Sequence, residues 1–167
     1  MKFTTYTPQF ARVSVCFYKT NNFRSKVIRW FTRSQVNHCG IMLTFKNTSL
    51  ILVSDTGHRA KFVDATNYHK RVIEPSEICE LGVGYISIQQ LTTYLKHPYI
   101  GDVKSVVWWF FFGRWFLPLH VPPSCTTITT RILRLCGWYV KDFVEPNKLY
   151  KELKNENDLF SWSSPSG

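Results

Sequence analysis

The sequence predicts one α+β domain, a small antiparallel sheet packed against helices. Three observations carry that reading. Strand-like alternation dominates the first half of the chain, helical spacing dominates the second, and 167 residues suffice for one good core but not for two. The domain is expected over residues 1–154, with 155–167 as a C-terminal tail.

Arg12-Val13-Ser14-Val15-Cys16-Phe17-Tyr18 alternates as a first strand does, and Thr20-Asn21-Asn22 punctuates it as a turn. A short helix follows from Phe23 to Thr32. Phe23, Val27, Trp30 and Phe31 recur there at helical spacing, with Arg24, Lys26, Arg29 and Arg33 elsewhere around it. His38 to Phe45 reads as an apolar strand, and Lys46-Asn47-Thr48 as a hairpin turn into Leu50 to Asp55. After Asp55-Thr56-Gly57, two more short strands are expected, Ala60 to Ala65 and Tyr68 to Glu74, closed by Pro75. Helices are then expected over Ser87 to Leu95, ended by Pro98, and from Asp102 to Phe112. The stiff Pro118 to Pro123 loop feeds a third helix opened by Ser124-Cys125, with Ile128, Ile132, Leu133 and Leu135 at helical spacing and a stop at Gly137. A last helix starts at Pro146 and carries Leu149, Tyr150 and Leu153.

Hydrophobic residues make up 44% of the chain and charged residues 19%, an ordinary globular balance that excludes a disordered polymer. The net charge of +10 favours polyanionic neighbours: nucleic acid, acidic lipid or an anionic cell-wall polymer. Its cations are scattered, with no run of five, as on a solvated basic surface. Five cysteines and no CxxC pair argue against a disulfide framework or a structural zinc site. Met1 to Gln9 are polar, without the apolar stretch of an export signal.

The chemistry-bearing residues are Cys125, His38 and an acid near Asp55. Cys125 falls in the first turn of its helix, where backbone N–H groups and the helix dipole favour thiolate over thiol and can hold an oxyanion. The competing reading of a free cysteine is a small buried hydrophobe. His38 starts a strand beside the polar turn Ser34-Gln35-Val36-Asn37, a place for a general base. Across the hairpin, Asp55 can orient the imidazole, with Ser54 and His58 competing for that role, because one residue of register slip changes which side chain faces His38.

Three short matches, in this order, resemble the permuted papain-like thiol hydrolases of the NlpC/P60 superfamily, the YiiX-like and lecithin:retinol acyltransferase-like group. Ser25-Lys26-Val27-Ile28-Arg29-Trp30-Phe31-Thr32 resembles the helix before that family's histidine strand. His38-Cys39-Gly40-Ile41 is similar to its His-x-Gly-aliphatic strand, and Pro146-Asn147-Lys148-Leu149-Tyr150 to its Pro-x-x-Leu-Tyr ending. The resemblance spans Arg12 to Leu153 and implies a circularly permuted papain-like fold with Cys125 as nucleophile and His38 as base. The family shows an acid followed by a small residue where this chain reads Val53-Ser54-Asp55, so the third position stays open. The implied chemistry is thiolate attack on an amide or ester carbonyl through an acyl-enzyme, with no metal or organic cofactor. Relatives cleave peptidoglycan peptides, other amides or lipid acyl esters, so substrate does not follow from fold.

Val106-Val107-Trp108-Trp109-Phe110-Phe111-Phe112, extended by Trp115-Phe116-Leu117, is too short and interrupted to span a membrane. It reads either as a buried helix or as a surface from Trp108 to Phe116 that meets lipid or a protein partner. Basic charge, compactness and the cell-wall hydrolase resemblance suggest a bacteriophage protein, in the virion or in the host cytoplasm. The expected activity is a cysteine peptidase or amidase acting on an amide bond. The alternatives are a structural virion component that keeps the fold without turnover and a lipid acyltransferase.

Overall fold

Val13 to Tyr18 is buried without a break although it alternates in sequence, which is the signature of a strand covered on both faces. The computed structural model describes residues 9–21, 26, 29–30, 33–46, 48–53, 60–96, 124–141 and 145–157. Its elements run β1 (Gln9–Tyr18), β2 (His38–Thr44), β3 (Ser49–Val53), β4 (Lys61–Asp64), α1 (Ala65–Arg71), β5 (Glu77–Ile86), α2 (Ile88–Lys96), α3 (Cys125–Leu135) and α4 (Pro146–Asn157). The strands form one five-stranded sheet in the order β4-β3-β2-β1-β5, and every pair is antiparallel. The α+β class is thus as the sequence predicts.

The two faces of β1 feed two cores. Ala11, Val13, Val15 and Phe17 pack with Ile41 and Leu43 of β2, Ile128, Ile132 and Leu133 of α3, and Leu149, Tyr150 and Leu153 of α4. Cys16 and Tyr18 look the other way, toward Ile51, Val53 and Ala65. The helices α3 and α4 therefore cover one face, while α1 covers part of the other, beside β3.

One expectation about the elements fails and one element is missed, each for a local reason. Tyr68 to Glu74 is not a strand: Ala65–Arg71 is helix α1. Asp64 caps it by accepting the Asn67 N–H at 2.7 Å, and His69, Lys70 and Arg71 place basic groups in its last turn. Strand β5 carries no clear alternation and is not anticipated. A bulge between its pairs with Val13 and Ser14 shifts its register, and Gly82, at φ +111°, supplies the backbone shape the shift requires. Gly84 then admits the end of α3: a β-carbon there would stand 3.0 Å from the Cys136 carbonyl oxygen and 2.8 Å from Val13 Cγ2. Tyr85 N–H donates to that same carbonyl at 3.3 Å.

The helix over Ser87 to Leu95 is found as α2, and the hairpin closes through Phe45 N–H donating to the Thr48 carbonyl at 2.8 Å. Lys26, Arg29 and Trp30 are helical, but Trp30 is 75% exposed and so is not part of a buried apolar stripe. The expected helix at Asp102 to Phe112 and the aromatic stretch from Trp108 to Phe116 lie outside the described residues. Among the described residues, no helix is long and apolar enough to cross a membrane.

Candidate active site

Ser124 is extended, at φ −123° and ψ 168°, and caps α3 reciprocally. Its hydroxyl oxygen accepts the Thr127 N–H at 3.2 Å, while Thr127 Oγ1 accepts the Ser124 N–H at 2.7 Å. Ile128 N–H then begins the helical ladder on the Ser124 carbonyl. The N–H groups of Cys125 and Thr126 precede that ladder, at the positive end of the helix dipole. Cys125 is the first helical residue and is half-buried, as its position after Pro122-Pro123-Ser124 implies.

The opposite wall is the start of β2. Cys39, Ile41 and Leu43 share the face that α3 packs against, so period-two geometry carries the Cys39 side chain under the first turn of the helix. Cys39 is 1% exposed, and its sulfur lies 3.7 Å from Thr126 Oγ1 and 3.8 Å from Thr129 Oγ1. Cys125 Sγ lies 3.9 Å from the same Thr126 hydroxyl. His38 stands half-buried at the strand's first position, and its charge and hydrogen bonding act on the Cys125 thiol. Its ring centroid also sits 5.7 Å from that of Tyr18, its ladder partner on β1.

These contacts set the protonation of the pair in opposite directions. A hydrogen bond from the Cys39 thiol, followed by the charge and hydrogen bond of His38 and a bond from the Cys39 backbone, holds Cys125 well below the ordinary thiol range against the opposing effect of burial. Burial, reinforced by the bond to Cys125, pushes Cys39 well above it.

Burial also pushes Cys16 and Cys136 up to about 12 and raises Cys79, and all five cysteines are free. Cys125 alone among them is shifted toward thiolate. Behind His38, Tyr18 is buried and its phenol is driven far above its ordinary value by burial. It shares a 3.0 Å hydrogen bond with Nε2 of His69 on α1.

The structure therefore brings the start of α3, with Cys125, against the start of β2, with His38, from elements far apart in sequence. Asp55, Ser54 and His58 lie outside the described residues. Sequence reasoning missed Cys39 as a functional neighbour, together with the buried hydroxyls of Thr126 and Thr129. Two signals were available: Cys39 has the same strand parity as Ile41 and Leu43, and the run Thr126-Thr127-Ile128-Thr129-Thr130 puts four hydroxyls on a helix whose core side is otherwise aliphatic.

No family model, curated protein or solved structure matches the chain.

Proposed function

We propose that the chain is a cysteine hydrolase that cleaves an amide bond, with Cys125 as nucleophile and His38 as general base and acid, on a circularly permuted papain-like fold. The observation that carries this reading is the seating of Cys125, first residue of α3, against the start of β2, where the charge and hydrogen bonding of His38 favour its thiolate. The element order supports the permuted arrangement, since the histidine strand β2 precedes the cysteine helix α3.

In the reaction, Cys125 Sγ attacks the carbonyl carbon, and the carbonyl oxygen takes the electron pair where the N–H groups of Cys125 and Thr126 meet it. Collapse breaks the C–N bond as His38 delivers a proton to the leaving amine, leaving a thioester. Water, giving its proton to His38, then releases the acid and returns the thiolate. Asp55, outside the described residues, keeps the orienting role on its place in the sequence alone, across the hairpin from the histidine strand.

Peptidoglycan peptides are the first substrate class to test, in keeping with the bacteriophage setting proposed from the resemblance. Wild type, Cys125→Ala and His38→Ala are incubated with purified peptidoglycan, a protein panel and short-chain acyl esters, and products are read by mass spectrometry. Cleavage of an amide that both variants abolish supports the proposal, and ester cleavage alone moves it to an acyltransferase or esterase. No product from any class, with Cys125 inert to a thiol-directed probe, leaves a structural protein that keeps the fold.

A further inference from the structure

At the His38 end of the sheet a cavity of about 850 Å³ opens, lined by Lys19 just after β1, by residues between Lys26 and Val36, by the start of β5 and by Tyr150 of α4. Its polar wall is Lys19, Lys26, Arg29 and Glu77, and Trp30 and Tyr150 supply aromatic surface. Lys26, Arg29 and Trp30 are three and four residues apart in helical conformation, which places them on one side of their turn. Arg29 uses one terminal nitrogen on Asn21 Oδ1, at 3.3 Å, and among the described residues neither it, Lys19 nor Lys26 is in an ion pair.

Glu77 does not cancel this charge. One carboxylate oxygen accepts the Tyr150 hydroxyl at 2.5 Å, and the other accepts Lys154 Nζ at 3.1 Å, so its own countercharge comes from α4. The two serines cannot supply donors: Ser76 Oγ gives its proton to the Phe17 carbonyl at 3.0 Å, and Ser34 Oγ gives its proton to the Val36 carbonyl. Apart from the amide of Gln35, cations with an adjoining aromatic surface remain. Such a wall suits an oxyanion attached to a partly apolar body.

The cavity is also a fixed distance from the thiol. Glu77 pairs with Phe17, Phe17 pairs with Cys39, and Cys39 lies beneath Cys125. Two strand spacings of about 4.8 Å separate Glu77 from Cys39, so the cavity's β5 wall lies roughly 10 Å across the sheet from the residue beneath Cys125, the reach of about three extended residues. Cys125 and His38 are not among its lining residues.

We propose that this cavity is a substrate-binding subsite for a carboxylate or phosphate group carried about three residues' length from the cleaved amide, held by Lys19, Lys26 and Arg29 against Trp30. Its description as a substrate subsite rests on the catalytic reading of Cys125 and His38, whereas anion binding does not. The test uses full-length, isotopically labelled Cys125→Ala protein, which keeps the cavity and removes the thiol. It is titrated with N-acetylglutamate and, separately, with inorganic phosphate while backbone and indole amide resonances are followed.

Saturable shifts at Lys19, Lys26, Arg29 and Trp30 are expected, weakened by added salt. A Lys26→Gln/Arg29→Gln double variant, with its spectrum otherwise preserved, should lose roughly tenfold or more in affinity. The better probe names the source, a peptide carboxylate or a phosphate. Shifts that never saturate with either anion, or equal affinity in the double variant, would overturn the subsite. A wild-type Cys125 that alkylates no faster than an ordinary thiol counts against the catalytic reading alone.

Discussion

Replacing His38 with Ala removes one of the groups that hold Cys125 as a thiolate, and the consequence can be measured without knowing a substrate. The His38 ring contributes both a charge and a hydrogen bond to the sulfur, second only to the bond from the Cys39 thiol among the groups favouring ionisation. A hydrogen bond to a charged acceptor contributes about 1.5–3 kcal/mol, and about 1.4 kcal/mol is a factor of ten between protonation states. At pH values where the wild-type thiol is itself mostly protonated, the thiolate population of the variant should therefore be lower by roughly ten- to a hundredfold, and the difference should shrink toward the ordinary thiol value of 9.0.

The assay is the rate of iodoacetamide labelling of the peptide bearing Cys125, followed by mass spectrometry from about pH 5 to pH 9. Because the folded thiol is depressed, the wild-type profile should hold its plateau below the ordinary thiol range and fall only at lower pH. In the variant the fall moves to higher pH. Cys16 and Cys136, pushed up to about 12 by burial, serve as internal controls and should stay unlabelled throughout. A His38→Gln protein keeps a hydrogen-bonding side chain without the charge and should fall between the two. An unchanged profile in His38→Ala, with the fold intact by circular dichroism, would refute the electrostatic reasoning.

Three further outcomes are expected. Ser124→Ala removes the side-chain half of the capping box, which should cost about 1 kcal/mol and lower the thermal midpoint by about 2–4 °C in a chain of this size; calorimetry checks it, and an unchanged midpoint would deny the cap its role. Gly84→Ala forces a β-carbon against the backbone at Cys136 and against Val13, an overpacking cost of about 1–3 kcal/mol that should show as a lower urea midpoint. His69 is held below its ordinary value of 6.5, chiefly by burial, with Glu74 opposing. The unfolded chain then binds more protons, so stability should drop as pH falls through 6.5, and urea titrations at two pH values should lose part of that difference in His69→Gln.

Much of the framework was legible because it rests on local pattern. The alternation of β1, the hairpin between β2 and β3, the capping serine before Cys125 and the Pro146 start of α4 each depend on neighbours a few residues away, and each is where the sequence places it. Helix α1 was misread because Tyr68 to Glu74 carries strand-like residues, while the deciding feature was the cap at Asp64. Strand β5 was invisible because its register shifts at a bulge and two glycines interrupt its pattern, so pairing with β1 determines it rather than its own periodicity.

For the site, the sequence by itself determined that Cys125 opens a helix and that His38 opens a strand, since caps, turns and alternation are short-range effects. Their meeting was a matter for tertiary structure: α3 must pack on the face of β2 that carries Cys39 before sulfur and imidazole come within reach. The same packing supplies the buried Cys39 thiol and the hydroxyls of Thr126 and Thr129, and it gathers Lys19, Lys26, Arg29, Glu77 and Tyr150 around one cavity. The physical reason is common to all of these. Burial and proximity between distant segments set a thiol's ionisation and a cavity's charge, and neither is a property of any local window of residues.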